Sequence, residues 1–217
     1  MIISWYGQSF FEIAVKGDEK ESVKIAIDPF DDSIGLKPPK VEADILLITH
    51  QHKDHNNKGT IKGEPFVIEH AGEYEVKGIS IQGISAFHDN EKGKERGVVV
   101  IYKIEAEGIK ICYLSDLGQK ELTTEQLEEI DEIDILIIPI GGKYTINGKE
   151  AAEIISQIEP RMVIPMHYKI ENVNIDLEGV DGFLKVMGEE KTAPEKKLKV
   201  SAKDLPAEET KIVLLEP

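Results

Sequence analysis

An α+β sandwich, with two β-sheets flanked by helices, is the fold class this sequence predicts. Three observations predict it. Short alternating or continuously apolar runs, which read as strands, fill the first half of the chain. Helical patterns interleaved with apolar runs appear in the second half. Metal-ligand residue types recur just after such runs, where strand ends meet a sheet rim. At 217 residues the chain is long enough to bury a good core, and 1–217 reads as one domain.

In chain order, Ile2 to Tyr6, Phe10 to Val15 and Val23 to Ile27 read as strands of a meander. Residues 28–40 hold Asp31-Asp32, Gly35 and Pro38-Pro39 and read as a loop, a candidate substrate lid. The run Ile45-Leu46-Leu47-Ile48-Thr49 is short, apolar and rich in β-branched residues, so it reads as a buried strand. Asn57 to Lys62 reads as a short helix, and β segments follow at 66–69, 74–76, 79–87, 97–104 and 109–115. Thr123/Thr124 with Glu125 to Glu129 predict a capped helix, Lys149 to Ile158 a second and Leu177 to Met187 a third. Apolar strands at 135–139 and 161–165 lie between them. Lysine-rich 192–203 reads as a solvated approach to a closing strand, Lys211 to Leu215. No repeat of 20 to 50 residues is visible.

The chemistry concentrates in His50-Gln51-His52-Lys53-Asp54-His55, directly after the buried run. In extended chain, residues i and i+2 project to one side, so His50 and His52 can reach one metal. If the chain then turns, Asp54 and His55 can begin a second site. Imidazole suits zinc, manganese and iron, and a carboxylate offsets excess positive charge. His88 follows the segment ending Ser85-Ala86-Phe87, Asp116 follows Tyr113-Leu114-Ser115, and His167 follows Met162-Val163-Ile164-Pro165-Met166. Taken singly, each has a plain reading: a turn histidine, a turn former before Gly118, a satisfied core histidine. Taken jointly, at successive strand ends, they point to metal binding.

Through these residues the chain resembles the metallo-β-lactamase superfamily of hydrolases. The matching pieces are His50-x-His52-x-Asp54-His55, His88, Asp116 in Ser115-Asp116-Leu117-Gly118, and His167 in Pro165-Met166-His167-Tyr168. Asp28 in Ile27-Asp28-Pro29 is similar to that family's early strand-end aspartate, although an Asp-Pro turn explains it nearly as well. Trp5-Tyr6-Gly7-Gln8-Ser9-Phe10-Phe11 and Pro139-Ile140-Gly141-Gly142-Lys143-Tyr144-Thr145 resemble the branch containing ascorbate-phosphate lactonase and small metal-dependent hydrolases. The resemblance implies a four-layer αββα sandwich carrying two divalent metal ions, zinc first, with manganese or iron also accepted. It implies that His50, His52 and His88 hold one ion, that Asp54, His55 and His167 hold the other, and that Asp116 bridges them. A hydroxide lying between the ions would attack a small ester, lactone or phosphodiester, with Asp54 and Asp116 as the catalytic carboxylates. Asp28 would orient a ligand histidine. Members of this branch often carry histidine where this chain has Gln8, which cannot shuttle a proton near neutrality.

Lys143, Tyr144 and Tyr168 neighbour the expected rim and are candidate substrate contacts; Asp89 is a candidate acceptor for its neighbour His88. His70 lacks nearby ligand-type partners and reads as structural. Cys112, the single cysteine, lies in a strand and reads as a core residue, with no intrachain disulfide available. A net charge of -15 disfavours long nucleic acid and leaves a small-molecule substrate, anionic ones included. No apolar stretch of membrane-spanning length and no signal-peptide pattern is present, so the expectation is cytoplasmic with no membrane partner. The alternatives are a metallo-ribonuclease or phosphodiesterase, a di-iron redox enzyme, and a non-catalytic metal-binding protein of the same fold. Acidic charge weighs against the nuclease, and His52 with the short chain against the redox enzyme.

Overall fold

Alternation builds the first sheet. The structure, a computed structural model, describes residues 1–189 and 192–217. β1 (Ile2–Trp5), β2 (Phe11–Lys16) and β3 (Ser22–Ile27) form the antiparallel meander. In β2 every second residue is buried (Phe11, Ile13, Val15), as a half-solvated strand requires. β4 (Val41–Glu42) precedes β5 (Ile45–Leu47), which joins β3 in parallel; β6 (Ile61–Lys62) pairs with β4 as a separate ribbon, and β7 (Phe66–Ile68) joins β5.

The second sheet starts with β8 (Gly72–Val76), β9 (Ile79–Phe87), β10 (Val98–Ala106) and β11 (Ile109–Tyr113), all antiparallel. After α1 (Thr124–Ile130) comes β12 (Ile135–Pro139), and after α2 (Gly148–Ile158) comes β13 (Met162–Met166), both in parallel. Both strands are buried at every position, the pattern of parallel strands covered on two faces. α3 (Val180–Val186) leads to β14 (Leu198–Lys199), which returns to β1, and β15 (Lys211–Ile212) completes the second sheet. The orders are β14-β1-β2-β3-β5-β7 and β15-β13-β12-β11-β10-β9-β8.

Capping boxes start both longer-range crossovers: Thr123 with Gln126 on α1, Asn147 with Glu150 on α2. α2 buries Ala151, Ile154, Ile155 and Ile158, one apolar stripe at helical spacing. α1 packs on β9, α2 on β12, and α3 on α2. The main core joins the inner faces, with Ile13, Ile25 and Leu47 from one sheet and Ile81, Tyr102 and Ile111 from the other. A second apolar cluster, with Ala26, Leu46 and Ile48, lies on the opposite face of the first sheet, as period two dictates. Among the described residues, no helix is long and apolar enough to cross a membrane.

Three local expectations are corrected and a fourth is narrowed. The segment after the hexapeptide is a 3-10 turn, Lys58–Thr60, running straight into β6; its Asn57 supplies no side-chain cap. The third helix begins only at Val180, because Glu178 N–H is already bonded to Gly141 O at 2.9 Å. Residues 198–199 are an edge strand rather than a solvated approach, with Leu198 buried. Loop 28–40 is not a free flap: Phe30 and Ile34 are buried in the second cluster, and Asn174 N–H bonds Ile34 O at 2.9 Å.

Candidate metal centre

Strand ends along one rim lead into each segment that carries an expected ligand, and into Asp28. Asp28 follows β3, His50 lies three residues past β5, His88 follows β9, Asp116 lies three past β11, and His167 follows β13. The chain must turn sharply here. Asp28, Ser115 and His167 have φ of 49°, 55° and 52°, left-handed backbone that non-glycine residues seldom adopt. Such strain concentrates at functional sites. Two glycines make room: a Cβ on Gly141 would sit 2.0 Å from His167 O, and one on Gly118 2.3 Å from His88 O. Gly141 thus admits the backbone of a site residue.

The donors converge. Potential ligand atoms of His50, His52 and His88 lie within 4.8 Å of one another, as do those of Asp54, His55 and His167, and of Asp28, His50 and His55. Asp116 Oδ2 is 3.1 Å from His55 Nε2, 3.2 Å from His167 Nε2 and 3.7 Å from His88 Nε2. Its Oδ1 accepts from Ser9 Oγ at 3.3 Å. His50 Nε2 and His52 Nδ1 face each other at 3.0 Å. His52 is exposed and Asp54 partly so, whereas the other five are buried, so the cluster opens on the His52–Asp54 side.

A buried network fixes the imidazoles. Asp28 accepts from Thr49 N–H at 2.8 Å and from Thr49 Oγ1 at 2.7 Å, and lies 3.1 Å from His55 Nδ1. That assigns a proton to His55 Nδ1 and turns Nε2 toward Asp116. Thr49 Oγ1, its own proton given to Asp28, accepts from Ser115 Oγ at 2.7 Å and can only accept from His50 Nδ1 at 3.0 Å. His50 Nε2 is left as a lone pair, facing His52 Nδ1. Tyr113 Oη closes the network, 2.8 Å from Ser9 O and 3.1 Å from Asp28 Oδ2.

Charge follows from this packing. Burial, reinforced by His55, pushes the His50 imidazole far below its ordinary value, and burial pushes His88 down to about 4. Burial would also lower His55, but the Asp116 and Asp28 carboxylates outweigh it and hold that imidazole well above the usual range. Asp116 would be raised by burial, yet His167 and His55 hold it well below. Donor chemistry fits divalent cations: five imidazoles, two carboxylates, and buried His55 Nε2, His88 Nδ1 and His167 Nδ1 without aligned hydrogen-bond partners among the described residues.

The remaining predicted residues divide. Asp28 does contact a histidine. Lys143 is exposed and ion-paired with Asp176; Tyr144 is half-buried with the Arg96 guanidinium 5.7 Å from its ring centroid. Tyr168 is buried against Trp5 at 5.2 Å between ring centroids, its hydroxyl pushed up to about 12 by burial. Asp89 does not hold His88; it accepts four backbone N–H groups, from Glu91, Gly93, Glu95 and Arg96, and clamps its own loop. His70 is exposed, outside the core. Cys112 is buried and its thiol pushed up to about 12, as a core residue's would be. Sequence reasoning missed Thr49, Ser115, Tyr113, Ser9 and Arg96, whose partners are mostly distant in the chain.

A family profile described as a beta-lactamase superfamily domain matches residues 2–167. A UPF0173 metal-dependent hydrolase of Thermococcus onnurineus is 30% identical over 197 residues, covering 76% of this chain and 84% of the relative. A UPF0173 protein of Pyrococcus abyssi is 32% identical over 182 residues, covering 77% and 83%. Among solved structures, one from Thermotoga maritima, assigned as a Zn-dependent hydrolase of the metallo-β-lactamase superfamily, matches with TM-score 0.79 and 34% identity over 100% of both chains.

Proposed function

The chain belongs to the metallo-β-lactamase superfamily, and from that membership we propose a metal-dependent hydrolase of small esters, lactones or phosphodiesters using two divalent cations, zinc first. The carrying observation is the convergence of three imidazoles on Asp116 Oδ2, flanked by two three-residue donor groups. His50, His52 and His88 would hold one cation, and Asp54, His55 and His167 the other, with Asp116 between them. When bound, two such cations supply Lewis acidity and a water acidic enough to give hydroxide near neutrality.

The chain's own residues prepare that chemistry. Thr49 and Asp28 hold the Nδ1–H of His50 and His55, so that Nε2 of each is the atom turned toward the cluster to meet a cation. Asp116 supplies buried negative charge against several imidazoles. The His52–Asp54 opening admits substrate, and Lys143, Tyr144 and Arg96 stand as candidates to receive an anionic group. Lys143 must exchange its Asp176 partner to do so.

The test uses the full chain stripped by chelator and assayed on p-nitrophenyl esters, lactones and bis(p-nitrophenyl) phosphate, with Zn²⁺, Mn²⁺ or Fe²⁺ restored. Hydrolysis of one class is expected, abolished by chelation and recovered with metal. Tight metal binding without hydrolysis of any class would favour the non-catalytic reading instead.

A further inference from the structure

Gln8 occupies a position that stability alone would not choose. Its backbone is left-handed at φ 51°, and its side chain is buried, the residue being 1% exposed. Its carbonyl is held on two sides, accepting from Trp5 Nε1 at 3.0 Å and from the His167 N–H at 3.1 Å. Its side-chain Oε1 is buried with no hydrogen-bond partner among the described residues. A strained non-glycine backbone and an unmet buried acceptor both cost free energy, and an apolar side chain would avoid the second cost.

What the position gains is one contact. Gln8 Nε2 donates to Asp54 Oδ2 at 3.2 Å, the sole hydrogen bond to that carboxylate among the described residues. The amide orientation follows from charge, since the flipped form would set its oxygen against a carboxylate. Asp54 needs such a restraint. It sits in the turn after the exposed His52 and Lys53, its side chain is 28% accessible, and its other polar neighbour, His55 Nε2, is 3.6 Å away.

Resting on the reading above, we propose that Gln8 is a positioning residue for the Asp54–His55–His167 cation site, fixing the carboxylate of its most exposed ligand. The effect is confined to that site, because Gln8 has no hydrogen bond to His50, His52 or His88.

The test is calorimetric titration of Zn²⁺ into the metal-free full chain, with Asp54→Asn marking which binding class belongs to this site. Gln8→Leu should weaken that class by about 10- to 100-fold and leave the other unchanged. Gln8→His, which keeps an N–H donor, should restore most of the loss. Combining Gln8→Leu with Asp54→Asn should add little to Asp54→Asn alone. Unchanged affinities in Gln8→Leu, or equal weakening of both classes, would overturn the proposal. Should Gln8→Leu not fold, Gln8→Met keeps the side chain's length without the N–H donor and must weaken the same class; normal binding there overturns it equally. A wild-type chain that binds no Zn²⁺ would instead remove the hydrolase reading on which the proposal rests.

Discussion

Asp116→Ala is expected to cost more activity than any other single change, well beyond the roughly 10- to 100-fold typical of losing an outer partner of a ligand. Three buried imidazoles lie within 3.7 Å of its Oδ2, so its removal strips them of a shared counter-charge. Ser9 Oγ loses its acceptor as well. The metal-free protein should lose about 3–5 kcal/mol of stability, the usual cost of deleting one partner of a buried charge pair. His70→Ala is the control, because His70 is exposed and apart from the cluster. Kinetics with denaturant unfolding of both variants would decide: equal losses in the two would contradict the role given to Asp116.

With the proposed pair of cations bound, acidification should empty their two sites in order. In the metal-free chain His50 and His88 are held neutral by burial, His88 at about 4 against an ordinary value of 6.5. The unfolded chain therefore binds more protons, and stability falls as pH drops from about 6.5 toward 4. Asp116, held well below its ordinary 3.8, extends the loss to lower pH still. His55 has the opposite sign. Its raised value stabilises the folded chain below 6.5, and that contribution is lost as pH rises through the folded value. A cation must displace protons from its ligands, and protons compete strongly at His55 but weakly at His50 and His88. The Asp54–His55–His167 site should thus release its ion first as pH falls, and hydrolysis should fall with it. Metal retained after gel filtration at stepped pH, beside the rate profile, checks this. Simultaneous release of both ions, or a flat rate through the imidazole range, would contradict it.

The candidate donors were legible because His50, His88, Asp116 and His167 each come just after a run that reads as a strand, and the rest of the hexapeptide follows His50 directly. The sandwich was legible for the same reason, as alternation in β2 and continuous burial in β12 and β13 are written in adjacent residues. What supports the ligands was harder to read. Thr49 meets Ser115 across 66 residues, Tyr113 meets Asp28 across 85, and Ser9 meets Asp116 across 107. No local pattern marks such partners. Gln8 drew notice only as a departure from histidine, and its contact 46 residues away explains why a donor still stands there. Asp89 misled because adjacency to His88 suggested a contact, whereas a loop full of free N–H groups was the stronger claimant. β14 was missed because two residues, preceded by Lys196-Lys197, carry too little alternation to declare an edge strand.

The central claim is that these seven side chains hold two ions, and elemental analysis of the full chain after Zn²⁺ reconstitution and desalting tests it most directly. The account predicts about two zinc ions per chain, the stoichiometry of a two-metal hydrolytic site. A chain that retains none, or that saturates at one, would contradict it.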